Sequence, residues 1–155
     1  MTVLSEIARR SDEAIAAARA ELVRAVREAS ARGMTQQQIA QHIRRSQSEV
    51  SRLLHFHGTT PLARKLRAHA GEIHREVGAM GGRNVRVFGS VARGDDRDES
   101  DVDLLFDMRR PLSLMELGAL EARLSSLLGV PVDLVPESSL KPAVRSRATT
   151  EAVPL

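Results

Sequence analysis

The chain has 155 residues, 42% hydrophobic and 28% charged, which is typical of a globular protein rather than a disordered one. It contains no cysteine, which excludes disulfides, thiolate zinc sites and cysteine nucleophiles, and no apolar run is long enough to cross a membrane. The formal net charge of +3 is too small to indicate a nucleic-acid partner by itself. Because the chain opens on a charged segment rather than an apolar signal sequence, we expect a cytoplasmic protein.

The first third of the chain is predicted to be entirely helical. Apolar residues recur every three or four positions over 15–29, which indicates an amphipathic helix, and Gly33 ends it. The Gly-Thr-Thr-Pro segment at 58–61 is the predicted linker. The chain is therefore expected to form a helical domain at 1–58 and a second domain at 61–155.

Two helix starts in the first domain share one capping signal. The capping-box spacing occurs twice, in Thr35 with Gln38 and in Ser46 with Glu49. In a capping box the side chain of the first residue caps the helix, and the side chain of the fourth residue accepts the backbone N–H of the first. Two short helices joined by a tight turn are therefore predicted at about 35–55, with the second helix ending near residue 58.

The second domain is predicted to combine helices with strands. The expected order is a helix from Pro61 to Met80, a strand from Val85 to Gly89, an acidic loop, a strand at 102–106, a helix from Leu114 to Leu127, a strand at 130–135 and a helix at about 140–148. The fold class is therefore α+β.

Acidic side chains concentrate next to one predicted strand. Residues 95–107 contain seven acidic residues and one arginine. Asp101 and Asp103 are expected on the same side of their strand because side chains alternate with a period of two. Two adjacent carboxylates repel each other unless a cation lies between them, and hard oxygen ligands suit Mg²⁺. Asp133 lies within an apolar strand, where a buried carboxylate needs a partner, so it completes a three-carboxylate site if the strands pair.

A small-residue turn precedes the acidic segment. Gly89 lets the backbone approach a ligand, and Ser90 with adjacent N–H groups can hold phosphate oxygens. Ten residues separate Gly89-Ser90 from Asp101-x-Asp103, and a further carboxylate lies on the next strand. This arrangement is the one expected for metal-assisted nucleotidyl transfer from a triphosphate.

The stretches 89–95 and 100–105 resemble the DNA-polymerase-β-like nucleotidyltransferase superfamily, and most closely its minimal nucleotidyltransferases. The chain end at 151–155 is also similar to the usual end of that family. The resemblance implies a small mixed sheet with flanking helices. It further implies that Gly89 and Ser90 bind the triphosphate of ATP, and Arg93 could contact phosphates.

The same resemblance implies a metal centre and an activity. Asp101 and Asp103 would bind two Mg²⁺ ions, and Asp133 would be the third ligand and would help to deprotonate the acceptor hydroxyl. Members of this family act as antitoxins beside HEPN ribonuclease toxins and transfer AMP from ATP to a tyrosine hydroxyl of the toxin. We therefore expect an antitoxin-type nucleotidyltransferase with a HEPN-type partner.

The stretches 34–40 and 46–54 resemble the helix-turn-helix of phage-repressor-like (XRE/Cro) regulators, with an arginine where the turn usually has glycine. The resemblance implies binding of a double-stranded DNA operator, with the second helix in the major groove. The candidate contacts are Arg44, Arg45, Ser46, Gln47, Ser48, Ser51 and Arg52. A two-fold operator would imply a homodimer, and the alternative is a plain helical hairpin used for packing or dimerisation.

Two other functions fit the same residues. The nucleotidyltransferase-like domain could sense nucleotide for a transcriptional regulator that needs no catalysis. It could also modify tRNA ends, which would make the protein a toxin, or a small molecule such as an aminoglycoside, although no second substrate-binding domain follows.

Overall fold

The computed structural model describes residues 2–155, which divide between Leu54 and His55 into two compact units. The first unit consists of α1 (Val3–Ala31), α2 (Gln36–Ile43) and α3 (Gln47–Leu54). The second consists of α4 (Pro61–Ala68), α5 (Ala70–Ala79), β1 (Gly82–Phe88), α6 (Gly89–Arg93), β2 (Val102–Met108), α7 (Leu114–Leu128), β3 (Val132–Pro136), a 3-10 turn (Glu137–Ser139), α8 (Pro142–Glu151) and β4 (Val153–Pro154). The predicted α+β class is confirmed. None of the helices described here is both long and apolar enough to cross a membrane.

Both predicted capping boxes of the first unit are present. The Thr35 hydroxyl accepts the Gln38 N–H at 3.2 Å, and the Gln38 side chain accepts the Thr35 N–H at 2.9 Å. Ser46 and Glu49 make the same reciprocal pair at 3.2 and 3.0 Å. Each box satisfies backbone donors that a helix start leaves open, so both helices begin where the sequence indicates.

The long helix α1 buries much less of its apolar stripe than its periodicity suggests. Of its described side chains, only Val26 is fully buried, and it packs with Ile39 and Val50 of the other two helices. Ile15, where the predicted stripe begins, is 65% exposed. Among the described side chains of α1, those that contribute to the core of this unit therefore lie in its C-terminal half.

Helix α3 ends at Leu54 and not near residue 58 as predicted. Phe56 is buried in the core of the second unit, and its N–H donates to the Pro154 carbonyl at 2.7 Å. The backbone at Phe56 bonds to a strand instead of continuing the helix, so the residues after Leu54 belong to the second unit. The predicted domain limits at 58 and 61 stay a prediction.

The prediction of a single helix from Pro61 to Met80 is wrong, because the helix is interrupted at His69. The backbone there has φ −99° and ψ 8°, and the two resulting helices are α4 and α5. Leu66 before the break and Ile73 after it are both fully buried. The apolar spacing therefore continues across the interruption, which explains why the sequence pattern does not show it.

The sheet has the strand order β3-β2-β1-β4 and is mixed, since β2 and β3 are parallel while β1 is antiparallel to both β2 and β4. Its arrangement is consistent with the polymerase-β-like fold. One face carries Val87, Leu104 and Phe106 into the main core, where α7 covers them with Leu120 and Leu124. The two-residue strand β4 is absent from the predicted elements, because two residues show no alternation.

The outer edge of β3 is bonded to side chains of α7. The Val132 N–H donates to the Ser125 hydroxyl and the Leu134 N–H donates to the Glu121 carboxylate, both at 3.0 Å. These donors point away from β2, so α7 satisfies backbone groups that an edge strand otherwise leaves open.

Candidate functional site

The turn that leaves β1 is built around Gly89. The strand ends at Phe88, and Gly89 begins the short helix α6 instead of ending the strand as predicted. Its φ of +73° lies in the left-handed region, and a Cβ added there would collide with Oδ2 of Asp103. Only glycine combines this conformation with such close approach to the carboxylate. The adjacent Ser90 is half-buried.

The strand register brings the predicted carboxylates to one end of the sheet. Asp103 is half-buried in β2, directly opposite Asp133 of the parallel strand β3 and Phe88 of β1. Paired residues share a face of the sheet, so both carboxylates lie on the face opposite the main core. Asp101 lies just before β2 and is exposed. Asp133 is exposed too, which corrects the expectation that it is buried.

Charge accumulates at Asp103. Its pKa is raised above the ordinary value, first by burial and then by the negative charges of Asp133 and Asp101, while Arg93 acts in the opposite direction. The charges of Asp133 and Asp101 therefore both act on Asp103, and Arg93 is close enough to affect the same group. A cation beside Asp103 would offset this repulsion.

The donor chemistry of this site fits a hard divalent ion such as Mg²⁺, because it consists of carboxylate oxygens without cysteine or histidine. The side-chain positions of residues 2–155 do not, however, bring three or more acidic, histidine or cysteine groups together in a ready metal-binding cluster. The binding of two Mg²⁺ ions by Asp101, Asp103 and Asp133 therefore stays a prediction.

The acidic loop before β2 is anchored and not simply solvated. The Thr60 hydroxyl donates to Oδ2 of Asp96 at 2.7 Å and accepts the Ala63 N–H at 3.1 Å, so one side chain caps α4 and holds the loop. Within the loop, the Arg97 N–H donates to the Ser100 hydroxyl at 2.7 Å. These bonds fix the loop that leads into Asp101.

A cavity of about 220 Å³ lies beside Gly89, against α8. It is lined by Phe88, Gly89, Arg93, Val144, Arg147, Ala148 and Glu151. The residues from α8 are not among the predicted site residues. The sequence signal that points to this region is the similarity of 151–155 to the end of the minimal nucleotidyltransferases, and it carries no information on side-chain contacts.

The seven candidate DNA contacts lie at the end of α2, in the turn and on α3. Arg44 has φ +55°, so an arginine adopts the left-handed conformation at the position where glycine is usual. Ser51 is half-buried and the other six are exposed: Arg44, Arg45, Ser46, Gln47, Ser48 and Arg52.

The second unit is similar to known nucleotidyltransferases. The family model "Nucleotidyltransferase domain" matches residues 66–155. The protein adenylyltransferase MntA of Thermococcus cleftensis is 41% identical over 88 residues, which cover 57% of this chain and 86% of MntA. A candidate protein adenylyltransferase of Methanocaldococcus jannaschii is 37% identical over 75 residues, which cover 48% of this chain and 74% of the relative.

Solved structures show the same similarity. One described as a candidate minimal nucleotidyltransferase is 41% identical, with a TM-score of 0.55 over 59% of this chain and 94% of its own. Another, described as a toxin-antitoxin with AMP-PNP, is 22% identical, with a TM-score of 0.50 over 54% of this chain and 69% of its own, and it shares the fold.

Proposed function

Because this chain belongs to the nucleotidyltransferase family, we propose that it is an antitoxin-type enzyme that transfers AMP from ATP to a hydroxyl group of a partner toxin. One observation carries the proposal: Gly89 lies directly against the carboxylate of Asp103, which in turn lies opposite Asp133. A phosphate-binding turn in contact with paired carboxylates suits metal-assisted nucleotidyl transfer. The similarity to MntA, which is named a protein adenylyltransferase, supports a protein as the acceptor.

Each side of the site has its own task. Backbone N–H groups at Gly89, the Ser90 hydroxyl and the Arg93 guanidinium bind the triphosphate, since all three supply donors to anionic oxygens. Asp101 and Asp103 would hold Mg²⁺, which would neutralise charge on the triphosphate and activate the acceptor hydroxyl.

The transfer itself exchanges one bond for another. The acceptor oxygen forms a bond to the α-phosphorus, and the bond from that phosphorus to the oxygen bridging to the β-phosphate breaks, so pyrophosphate leaves. The proton of the acceptor hydroxyl passes to the carboxylate of Asp133, which is exposed and therefore accessible to a second molecule.

We propose a tyrosine of a HEPN-type toxin as the acceptor. The chain contains no tyrosine, so a tyrosine acceptor must belong to another polypeptide. This composition simplifies the assay, because AMP found on tyrosine cannot come from modification of the enzyme by itself.

The proposal is tested by incubating the protein with labelled ATP, Mg²⁺ and the product of the neighbouring gene. We expect AMP on a tyrosine of that product, and a loss of at least about a hundredfold in Asp101→Ala/Asp103→Ala, because removal of metal-binding carboxylates costs several kcal/mol of transition-state stabilisation. Asp98→Ala/Glu99→Ala removes two exposed charges from the same loop and should retain transfer. If AMP is transferred to none of the neighbouring gene products, the proposal is contradicted. Growth arrest on overexpression of the protein would indicate that it is a toxin.

We also propose that the first unit binds a DNA operator through α3 and thereby regulates its own operon. Support comes from the two capped helices, the three-residue connection between them and the exposed polar side chains at the start of α3. A helix start of this kind places short polar side chains next to base edges, with arginines beside them for phosphates.

DNA binding is tested by fluorescence anisotropy with the upstream region of the gene. We expect Gln47→Ala to lower operator affinity about tenfold while leaving unspecific binding unchanged, because a bidentate base contact contributes roughly 1–3 kcal/mol of discrimination. Arg44→Ala should weaken both kinds of binding, since it contacts the backbone. Arg10→Ala, an exposed arginine of α1, is the control. Equal affinity for operator and unrelated DNA would instead support the plain helical hairpin.

A further inference from the structure

Two arginines beside the cavity next to Gly89 share one carboxylate. Nη1 of Arg93 lies 3.2 Å from Oε2 of Glu151, and Nε of Arg147 lies 3.2 Å from Oε1 of the same side chain. The Glu151 side chain is 24% exposed, whereas that of Arg147 is 77% exposed. A half-buried carboxylate therefore fixes the ends of two long, flexible cations at neighbouring positions.

The cavity walls have a simple charge pattern. Phe88, Val144 and Ala148 contribute apolar surface, and the charged side chains that line the cavity are the two arginines and Glu151. These three side chains carry one net positive charge. Asp95 also pairs with Arg93 but is not among the lining residues, so an occupant meets two guanidinium groups and one carboxylate, which favours an anion.

The ion pairs with Glu151 and Asp95 leave donors unused on both guanidinium groups. On Arg147, only Nε contacts Glu151. The two terminal nitrogens of Arg147 have no partner among the described residues and are available. Arg93 uses Nε toward Asp95 at 3.4 Å and Nη1 toward Glu151, so Nη2 has no partner among the residues that the structure describes. A guanidinium has five N–H donors in a planar fork that suits phosphate oxygens.

We propose that Arg147 of α8 binds the triphosphate together with Arg93, and that Glu151 is a positioning residue that holds both guanidinium groups for it. The inference rests on the proposed function, since it assigns further residues to the same nucleotide site. The cavity includes Gly89 and lies on the sheet face of Asp103, because Phe88 lines it and pairs with Asp103. A triphosphate that contacts Gly89 therefore lies within reach of α8.

Glu151 lowers the cost of binding by ordering the arginines in advance. A largely exposed arginine samples many rotamers, and fixing it on ligand binding costs free energy. Because each oxygen of Glu151 contacts one arginine, the two guanidinium groups are held side by side before the anion arrives. The triphosphate then gains charge-assisted hydrogen bonds without bearing the full ordering cost.

The test is calorimetric titration of the full chain with ATP, ADP and AMP in the presence of Mg²⁺. We expect Arg147→Ala to weaken the affinity for ATP about tenfold, because charge-assisted hydrogen bonds to the phosphates are lost. The affinity for AMP should change less than twofold. Arg145→Ala removes the same charge from the same helix outside the cavity and should change ATP binding less than twofold. Arg147→Lys should recover part of the loss, since it restores the charge without the fork.

Glu151→Gln keeps the shape of the side chain and removes its charge. We expect it to raise the KM for ATP severalfold with little change in kcat, since it disturbs the positions of the arginines and not the carboxylates that carry the chemistry. The melting temperature of each variant shows whether folding is retained.

The outcomes separate this inference from the proposed function. If the unaltered protein binds ATP and transfers AMP while Arg147→Ala binds ATP equally well, the inference is overturned and the proposed function stands. Equal weakening of ATP, ADP and AMP overturns it too, since a phosphate contact must depend on the number of phosphates. If the unaltered protein binds no ATP, both fail.

Discussion

Asp103→Asn should reduce AMP transfer by at least about a hundredfold and at the same time raise the free energy of unfolding of the metal-free protein. The loss follows from removal of a carboxylate that is expected to hold Mg²⁺ at the reacting phosphate. The gain in stability follows from the raised pKa of Asp103, which shows that its ionised form is disfavoured in the folded protein by burial and by Asp133 and Asp101. The asparagine side chain has the same size and no charge.

The difference in stability between Asp103→Asn and the unaltered protein should become smaller as the pH falls. The pKa of Asp103 is higher in the folded than in the unfolded state, so its ionised form lowers the free energy of unfolding at neutral pH. The penalty is full above the folded-state pKa of Asp103, shrinks as the pH falls through that pKa, and is absent below the unfolded-state pKa. Asp103→Asn should therefore be more stable than the unaltered protein at neutral pH, and the difference should shrink in acid.

The measurement is urea unfolding in EDTA over a range of pH, beside transfer assays with Mg²⁺. Asp98→Asn, an exposed carboxylate of the loop, is the control and should change neither quantity appreciably. A variant that loses activity and stability together at neutral pH would show that Asp103 contributes to the fold, contrary to the electrostatic explanation.

Gly89→Ala should disrupt the site from the opposite side. The alanine must adopt φ near +73°, which costs about 1–2 kcal/mol, and its Cβ would overlap Oδ2 of Asp103. The colliding atom is a side-chain oxygen, so the overlap must either shift the turn or turn the carboxylate away from its place beside Gly89. We expect the free energy of unfolding to fall by about 1–3 kcal/mol and transfer to fall at least about tenfold.

Two other glycines separate the causes of this effect. Gly94 has φ +82° and open space around its Cβ position, so Gly94→Ala introduces backbone strain alone. Gly118 lies within α7, where an added Cβ meets nothing, and Gly118→Ala should stabilise the protein by about 0.5–1 kcal/mol. If Gly89→Ala lowers the free energy of unfolding no more than Gly94→Ala does and still transfers AMP, the close approach of Gly89 to Asp103 is not required for activity.

Features that depend on local sequence are the most predictable ones in this chain. The capping boxes at Thr35 and Ser46 need only residues three positions apart, and both are present in the structure. The end of α7 at Gly129, which has φ +70°, is local in the same sense. Such signals act through backbone hydrogen bonds within one turn, so no knowledge of the tertiary fold is required.

Features that depend on partners far along the chain escape sequence patterns. The interruption at His69 leaves the apolar spacing intact, and β4 exists because its two residues pair with Arg86 and Val87 of β1. The exposed stretch of α1 and the end of α3 show the same limit. Ile15 has an apolar side chain that stays exposed, and Phe56 packs into the core of the second unit.

The candidate site shows both kinds of residue. The Gly-Ser turn and the carboxylates have a fixed spacing along the chain, so Gly89, Asp101 and Asp103 can be proposed as site residues from the amino-acid sequence alone. Arg147 and Glu151 belong to a largely exposed helix in an arginine-rich chain, and the sequence pattern does not distinguish Arg147 from the other arginines. The contact of Glu151 with Arg93 spans 58 residues and becomes visible only in three dimensions.

The bonds from Ser125 and Glu121 to the edge of β3 restrict how another protein can approach. A partner strand added to that edge would have to displace both side chains from the N–H groups of Val132 and Leu134. The opposite edge, β4, offers only two residues for such pairing. If the protein has the proposed function, strand addition at these edges is not an open route to a partner toxin, and recognition would rest on side chains and loops at the end of the strands near Asp133.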